Sequence, residues 1–318
     1  MRLIMMGTGP FAVPTFRSLL DTGQHVAVLV TRPSPAVRSR GKTPLNPMRE
    51  AAAERGIQVL SPQDVNTETA RKQIASLRPD LFVVCDYGQI LSAATLAIPT
   101  LGGINLHGSL LPKYRGAAPV NWALLNGETE SGVTVLHMTP KLDAGPTLCQ
   151  RSTLIEPDEC ADQLEPRLAQ LGPAAVDEAI DLLRAWDGRT PIGTVQDPSL
   201  ATPARRLKKQ DGQIDWSCSA ERIRNQVRAL KPWPGTFTHW SRNGRTASRL
   251  ILDQVSVATD LGSGEPGAVL KSDSGQLWIA AGDGILAVER LQPAGKRVMD
   301  VREFLRGHPI EVGTRLGV

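Results

Sequence analysis

The chain has 318 residues, 41% of them hydrophobic and 21% charged, and a net charge of +4 at pH 7. These are the proportions of an ordinary soluble protein with room for two cores, and no apolar run approaches the roughly 18 residues of a membrane helix. The four cysteines, Cys85, Cys149, Cys160 and Cys218, are scattered without a C-x-x-C pair. That usage excludes a disulfide-dense scaffold or a zinc ligand set and implies reduced thiols in a cytoplasmic protein.

At the N-terminus, Met1-Arg2-Leu3-Ile4-Met5-Met6 runs straight into a glycine turn and reads as a first strand rather than a leader. Short apolar runs at residues 3–6, 26–30, 58–60, 81–84 and 103–106 alternate with helical stretches at 12–21, 47–55 and 68–77. That rhythm predicts parallel strands joined by crossover helices: an α/β fold with a doubly wound, mostly parallel, Rossmann-like sheet. The near-continuous run Leu81-Phe82-Val83-Val84-Cys85 suits a strand covered on both faces.

After the first strand, Gly7-Thr8-Gly9-Pro10-Phe11-Ala12 formally matches G-x-G-x-x-A, so a dinucleotide-dependent oxidoreductase is a rival reading. Two features oppose it. The second strand ends Val28-Leu29-Val30-Thr31-Arg32, with no acidic residue for a ribose, and Pro10 removes an N–H from the turn. Arg32 would suit a 2′-phosphate, which leaves NADP open. The loop from Arg32 to Met48 then carries Arg38, Arg40 and Lys42 among four prolines, a composition that prevents a helix and fits phosphate capture.

The most informative segment follows the strand at 103–106: Asn105-Leu106-His107-Gly108-Ser109-Leu110-Leu111-Pro112-Lys113-Tyr114-Arg115-Gly116-Ala117-Ala118-Pro119. Residues i and i+2 of a strand share a face, so Asn105 and His107 point into one cleft at its end. An amide donor beside an imidazole suits a carbonyl oxygen that becomes negative under nucleophilic attack. Thirty-six residues on, Asp143 in Lys141-Leu142-Asp143-Ala144-Gly145 supplies a carboxylate able to orient or charge that imidazole.

The string N-x-H-x-S-L-L-P, followed by R-G-A-A-P and L-D-A-G, resembles the signature of the folate-dependent formyltransferases. The resemblance implies Asn105, His107 and Asp143 as the catalytic trio, and Ser109, Leu110, Leu111 and Pro112 as a loop that helps hold folate. It implies 10-formyltetrahydrofolate as the formyl donor, an amine as acceptor, and no metal. In that family the glycine turn lies on the amino-substrate side of the cleft. The segment Arg38-Ser39-Arg40-Gly41-Lys42 is similar to the loop with which the methionyl-tRNA formyltransferases engage the acceptor end of tRNA, which assigns Arg38, Arg40 and Lys42 to tRNA.

Further along, residues 161–184 read as one helix, and the proline- and glycine-punctuated stretch 187–203 as a linker. A helix at 220–230 and strands at 236–240, 248–257, 267–270, 277–281 and 285–291 then predict a small barrel, with the OB-fold the natural candidate. From residue 205 onward there are 18 Lys+Arg against 12 Asp+Glu, net +6, while residues 1–204 hold 18 against 20, net −2. Such asymmetry points to a polyanionic partner for the C-terminal region. Ile214-Asp215-Trp216, Lys231-Pro232-Trp233-Pro234 and Leu291-Gln292-Pro293-Ala294-Gly295-Lys296 resemble the C-terminal domain of the tRNA-acting members, and Lys209 matches their linker lysine.

The expected organisation is therefore a catalytic domain at 1–189, a linker at 190–208 and an OB-like tRNA-binding domain at 209–318. The implied partners are initiator Met-tRNA and tetrahydrofolate, with the protein a monomer away from membranes. Glycinamide ribonucleotide formyltransferases would stop near the linker. Enzymes that formylate amino-sugar nucleotides share the two-domain plan and remain the alternative, and a non-enzymatic OB-type binding module would leave Asn105, His107 and Asp143 unexplained.

Overall fold

The computed structural model describes residues 1–34, 46–241, 248–258, 264–273 and 275–317. Two compact units emerge: the first comprises 1–119, 130–154 and 164–205, the second 120–129, 155–163 and 206–318.

The first unit begins with β1 (Arg2–Gly7), α1 (Val13–Asp21), β2 (His25–Val30), α2 (Pro47–Glu54) and β3 (Val59–Leu60). It continues through α3 (Glu68–Ser76), β4 (Leu81–Cys85), α4 (Ala93–Leu96) and β5 (Gly103–His107). Helices α2, α3 and α4 start where short polar side chains cap the first turn. Asn46, Thr67 and Ser92 accept the N–H groups of Arg49, Ala70 and Thr95. All five strands are parallel, and β4 is buried along its whole length, as its unbroken apolar run predicts.

The chain then forms β6 (Arg115–Gly116), α5 (Pro119–Leu125), β7 (Glu130–His137), β8 (Thr147–Leu154), α6 (Ala161–Ala169), α7 (Gly172–Arg184) and β9 (Pro203–Ala204). The main sheet has the order β3-β2-β1-β4-β5-β7-β8, with β5–β7 and β7–β8 antiparallel. The strand order reverses between β1 and β4, the switch point beside which ligands of such sheets bind. The two antiparallel strands are absent from the sequence reading. β8 is largely polar, Thr147-Leu148-Cys149-Gln150-Arg151-Ser152-Thr153-Leu154, and gives no apolar run.

The helix expected over 161–184 is two helices. Pro173 has no N–H to continue the ladder and favours a fresh start at α7. Gly172 lies against β5, where a Cβ would stand 2.5 Å from Leu106 Cδ2. Part of the stretch that reads as a linker pairs with the first unit. Thr194 exchanges backbone hydrogen bonds with Thr147, and β9 pairs with β6, so residues 194–204 are built into the first unit.

The second unit contains α8 (Ala220–Ala229), β10 (Thr236–Trp240), β11 (Ser248–Val257), β12 (Val269–Asp273), β13 (Gln276–Ala280), β14 (Ile285–Pro293), β15 (Met299–Asp300) and α9 (Val301–Gly307). The sheet is antiparallel in the order β10-β11-β14-β13-β12, with β15 on β14, a barrel-like small domain matching the five expected strands. Its core gathers Trp216, Ile223, Val227, Trp240, Leu250, Leu277 and Phe304. Helix α5 joins this unit because Asn121 Nδ2 donates to the Ala229 carbonyl at 2.7 Å, satisfying an oxygen left open at the end of α8. The Arg222 guanidinium donates likewise to the Leu125 carbonyl. Among the described residues, no helix is long and apolar enough to cross a membrane.

Candidate active site

Strand β5 carries Asn105 and His107 on one face, and the loop between β7 and β8 folds back so that Asp143 meets both. Asn105 Nδ2 donates to Asp143 Oδ1 at 3.3 Å, and His107 Nδ1 stands 3.8 Å from Asp143 Oδ2. His107 Nε2 donates to the Tyr114 carbonyl at 2.8 Å. With that nitrogen committed, Nδ1 is the ring position left to face Asp143 and a substrate. His107 and Asp143 are 6% and 9% exposed, so their interaction operates in a low-dielectric pocket.

Asp143 has φ = 48°, a left-handed conformation that costs a non-glycine residue about 1–3 kcal/mol. Its surroundings hold it there. Gln196 Nε2 donates to the carbonyls of Asp143 (2.9 Å) and Gly145 (2.7 Å), while Gln196 Oε1 accepts from Arg115 Nε and Nη2 at 3.1 and 2.7 Å. Gly145 has no room for a side chain, since a Cβ would lie 1.8 Å from the His137 carbonyl. Gln196 is a positioning residue that the sequence did not disclose. It lies in the stretch read as linker, 53 residues beyond the aspartate it supports.

The backbone N–H of Gly116 donates to Asp143 Oδ2 at 2.9 Å. Gly116 adopts φ = 130°, and a Cβ there would stand 2.5 Å from the Ala204 carbonyl in the β6–β9 pair. We expect Gly116→Ala to separate β6 from β9, lower stability by about 1–3 kcal/mol and reduce turnover with it. A thermal melt and a rate assay check this; a variant with the wild-type melting temperature and rate would show that the close approach is dispensable.

The loop after β5 is fastened from beneath. The Thr134 hydroxyl donates to the Ser109 carbonyl (2.6 Å) and accepts from Leu111 N–H (3.0 Å) and Gln150 Nε2 (2.9 Å). Gln150 also donates to the Leu111 carbonyl at 2.8 Å. The Ser109 hydroxyl donates to the Lys113 carbonyl, so this buried serine shapes the loop. Leu111 is buried, and Leu110 and Pro112 are half-buried. Two large apolar side chains of this unit are left open: Ile90, 69% exposed after β4, and Leu142, 57% exposed beside Asp143.

At the switch point, the N–H groups of Thr8 and Gly9 donate to the Asp86 carbonyl at 3.0 and 3.4 Å, so those two amides already have partners within the protein. The Asp86 carboxylate lies on the turn, with Oδ2 1.6 Å from where a Gly9 Cβ would be. Burial, and then the negative charge of Glu165, raise its pKa to about 6. At neutral pH a carboxylate thus sits where a pyrophosphate would have to approach, which opposes the dinucleotide reading.

Lys209 is exposed in a single 3-10 turn, Lys209–Gly212, of the second unit. Arg38, Arg40 and Lys42 lie outside the described residues. No group of three or more His, Cys, Asp or Glu side chains among the described residues is arranged to hold a metal ion.

Residues 1–180 match the family described as formyl transferase, and residues 206–309 match its C-terminal domain. The methionyl-tRNA formyltransferase of Rhodopirellula baltica is 45% identical over 325 residues, covering 99% of this chain and 96% of that one. That of Geobacter sulfurreducens is 43% identical over 318 residues, covering 100% and 97%. In fold, the chain is similar to an N-formyltransferase from Helicobacter canadensis solved with folinic acid and dTDP-3-aminofucose, at a TM-score of 0.65 and 19% identity, covering 92% of this chain and 98% of that one. Both halves of the chain and its full-length relatives agree: it belongs to the formyl transferase family, in the methionyl-tRNA formyltransferase branch.

Proposed function

We propose that this enzyme transfers the formyl group of 10-formyltetrahydrofolate to the α-amino group of methionyl initiator tRNA, with Asn105, His107 and Asp143 as its catalytic residues. The observation that carries this assignment is the convergence of an amide, an imidazole and a buried carboxylate on one strand face. The folate supplies a formyl group already activated on nitrogen. Leu142, exposed beside Asp143, and the half-buried Leu110 and Pro112 offer apolar surface for its flat ring system, and the exposure of Leu142 supports that fit.

The acceptor must be neutral to attack. Free α-amino groups titrate at about 7.7–8.0, and esterification to tRNA lowers that value, so a useful neutral fraction exists near pH 7 without a strong base. As the new C–N bond forms, the formyl oxygen becomes negative, and the Asn105 amide with protonated His107 Nδ1 stabilises it. Asp143 holds the imidazolium and takes up the proton released by the attacking amine, directly or through water. Collapse of the adduct breaks the bond to the folate nitrogen, which leaves carrying a proton.

Incubating the protein with 10-formyltetrahydrofolate and charged initiator tRNA should yield formylmethionyl-tRNA. Formylation of an amino-sugar nucleotide, with none of Met-tRNA, would overturn the assignment. We infer that the enzyme works in the cytoplasm, where its four free thiols would stay reduced.

Lys208 and Lys209 are exposed and stand ready to meet phosphates. We expect neutralising both to raise the KM for Met-tRNA several-fold while leaving turnover at saturation unchanged, because such pairings act equally on ground and transition states. Each lysine that neutralises a phosphate should contribute about 0.9 units of log–log salt slope, and its substitution should remove that share. Wild-type KM and slope would remove these lysines from the tRNA interface.

A further inference from the structure

We propose that the second unit carries a subsite for a phosphodiester of the bound tRNA, formed by Arg302 and Arg306 where α9 meets the turn between β12 and β13. This inference rests on tRNA being the acceptor. A cavity of about 290 Å³ opens there, bordered by Ser272, Asp273, Gly275, Arg302, Leu305 and Arg306.

The construction is specific. Val301 and Phe304 seat one face of α9 in the core, and Leu305 packs against that core. The opposite face presents Arg302 and Arg306 one helical turn apart, close enough to converge on one anion. Gly275, at φ = 87°, lets the Arg302 stem cross the turn; a Cβ there would lie 2.9 Å from Arg302 Cβ and 3.0 Å from its Cγ. The stem is thereby braced while Arg302 as a whole stays exposed.

Charge balance supplies the second argument. Four arginines of this unit are held in ion pairs: Arg224 with Asp158 and Glu221, Arg290 with Asp253, Arg297 with Glu303, and Arg315 with Glu265. Glu303, the acid on α9 itself, is thus committed to Arg297. Arg302 and Arg306 have neither an ion pair nor a hydrogen-bond partner among the described residues. Asp273 borders the same cavity without coming within 4 Å of either guanidinium.

Two uncompensated guanidinium forks around a shallow opening match the oxygens of a phosphate group. The carboxylate in the wall disfavours a compact, multiply charged anion, whereas a singly charged phosphodiester needs only the two arginines. Guanidinium groups that meet a phosphate position the strand rather than read its sequence. Residues 205–318 carry a net +6, which brings a polyanion to this part of the chain.

The test is steady-state formylation by the full-length enzyme over a range of salt. We expect Arg302→Gln/Arg306→Gln to raise the KM for Met-tRNA about tenfold at low salt, reduce its salt slope by one to about two units, and leave turnover at saturating tRNA unchanged. Arg302→Lys/Arg306→Lys should restore the salt slope, since the charge returns. A wild-type KM and slope in the glutamine variant overturns the proposal, as does a lysine variant no better than the glutamine one, because the effect would then be packing. Titration with inorganic phosphate and with ATP separates the sources. Saturable binding of either that needs both arginines, with tRNA kinetics unaltered, would make this a small-anion site and overturn the tRNA assignment. Failure of the wild-type enzyme to formylate Met-tRNA would instead overturn the function itself.

Discussion

Asn105→Ala and His107→Ala are each expected to lower formyl transfer by about a hundred- to a thousandfold, the usual consequence of losing one donor to a developing oxyanion. The two variants should differ in a second respect. Asn105 is half-exposed and its amide bonds only Asp143 among the described groups, so its truncation should leave the fold near wild-type stability. His107 is buried, with Nε2 donating to the Tyr114 carbonyl and Nδ1 facing Asp143, and its truncation removes that bond and that charge partner from the interior. The lost bond costs about 1–3 kcal/mol. Single-turnover rates with a thermal melt separate the two effects. A folded variant keeping more than about a tenth of wild-type turnover would remove that side chain from oxyanion stabilisation.

Asp143→Asn is expected to be at least as severe, lowering turnover by about a hundred- to ten-thousandfold. The substitution keeps the size but not the pattern of acceptors. Oδ1 receives Asn105 Nδ2, and Oδ2 receives the Gly116 N–H while facing His107 Nδ1. An amide offers one oxygen, so its NH2 group must point at one of those donors. The charge that holds an imidazolium is lost at the same time. Because these roles belong to the transition state, kcat and kcat/KM should fall together, with little change in the KM for tRNA. An effect under about tenfold would reduce Asp143 to a residue that merely holds the loop.

Much of the fold was written in local pattern. Buried parallel strands such as β1 and β4 announce themselves as short apolar runs, because both faces must be covered and every side chain must be apolar. β11 matches its expected bounds at both ends, 248 and 257. Where the pattern misled, an identifiable force took over. One expected helix became α6 and α7, since Pro173 removes a donor and Gly172 is needed for close approach to β5. The polar edge strand β8 carries little periodicity, and pairing with β7 is what makes it a strand.

The site divides along the same line. Asn105 and His107 are two residues apart on a strand, so the two-residue period alone places them on one face. The pairing with Asp143 could be suggested by residue type and resemblance, yet its geometry could not. A left-handed aspartate persists only because Gln196 bonds its carbonyl, the Gly116 N–H bonds its carboxylate, and β9 pairs with β6 behind it. These bonds join residues 27 to 53 positions away, drawn partly from a stretch that reads as a linker. Sequence by itself determined which chemical groups the enzyme owns and which of them share a strand. The orientation of the carboxylate against the imidazole was decided by tertiary structure, because the backbone strain that sets it is sustained only by partners distant along the chain.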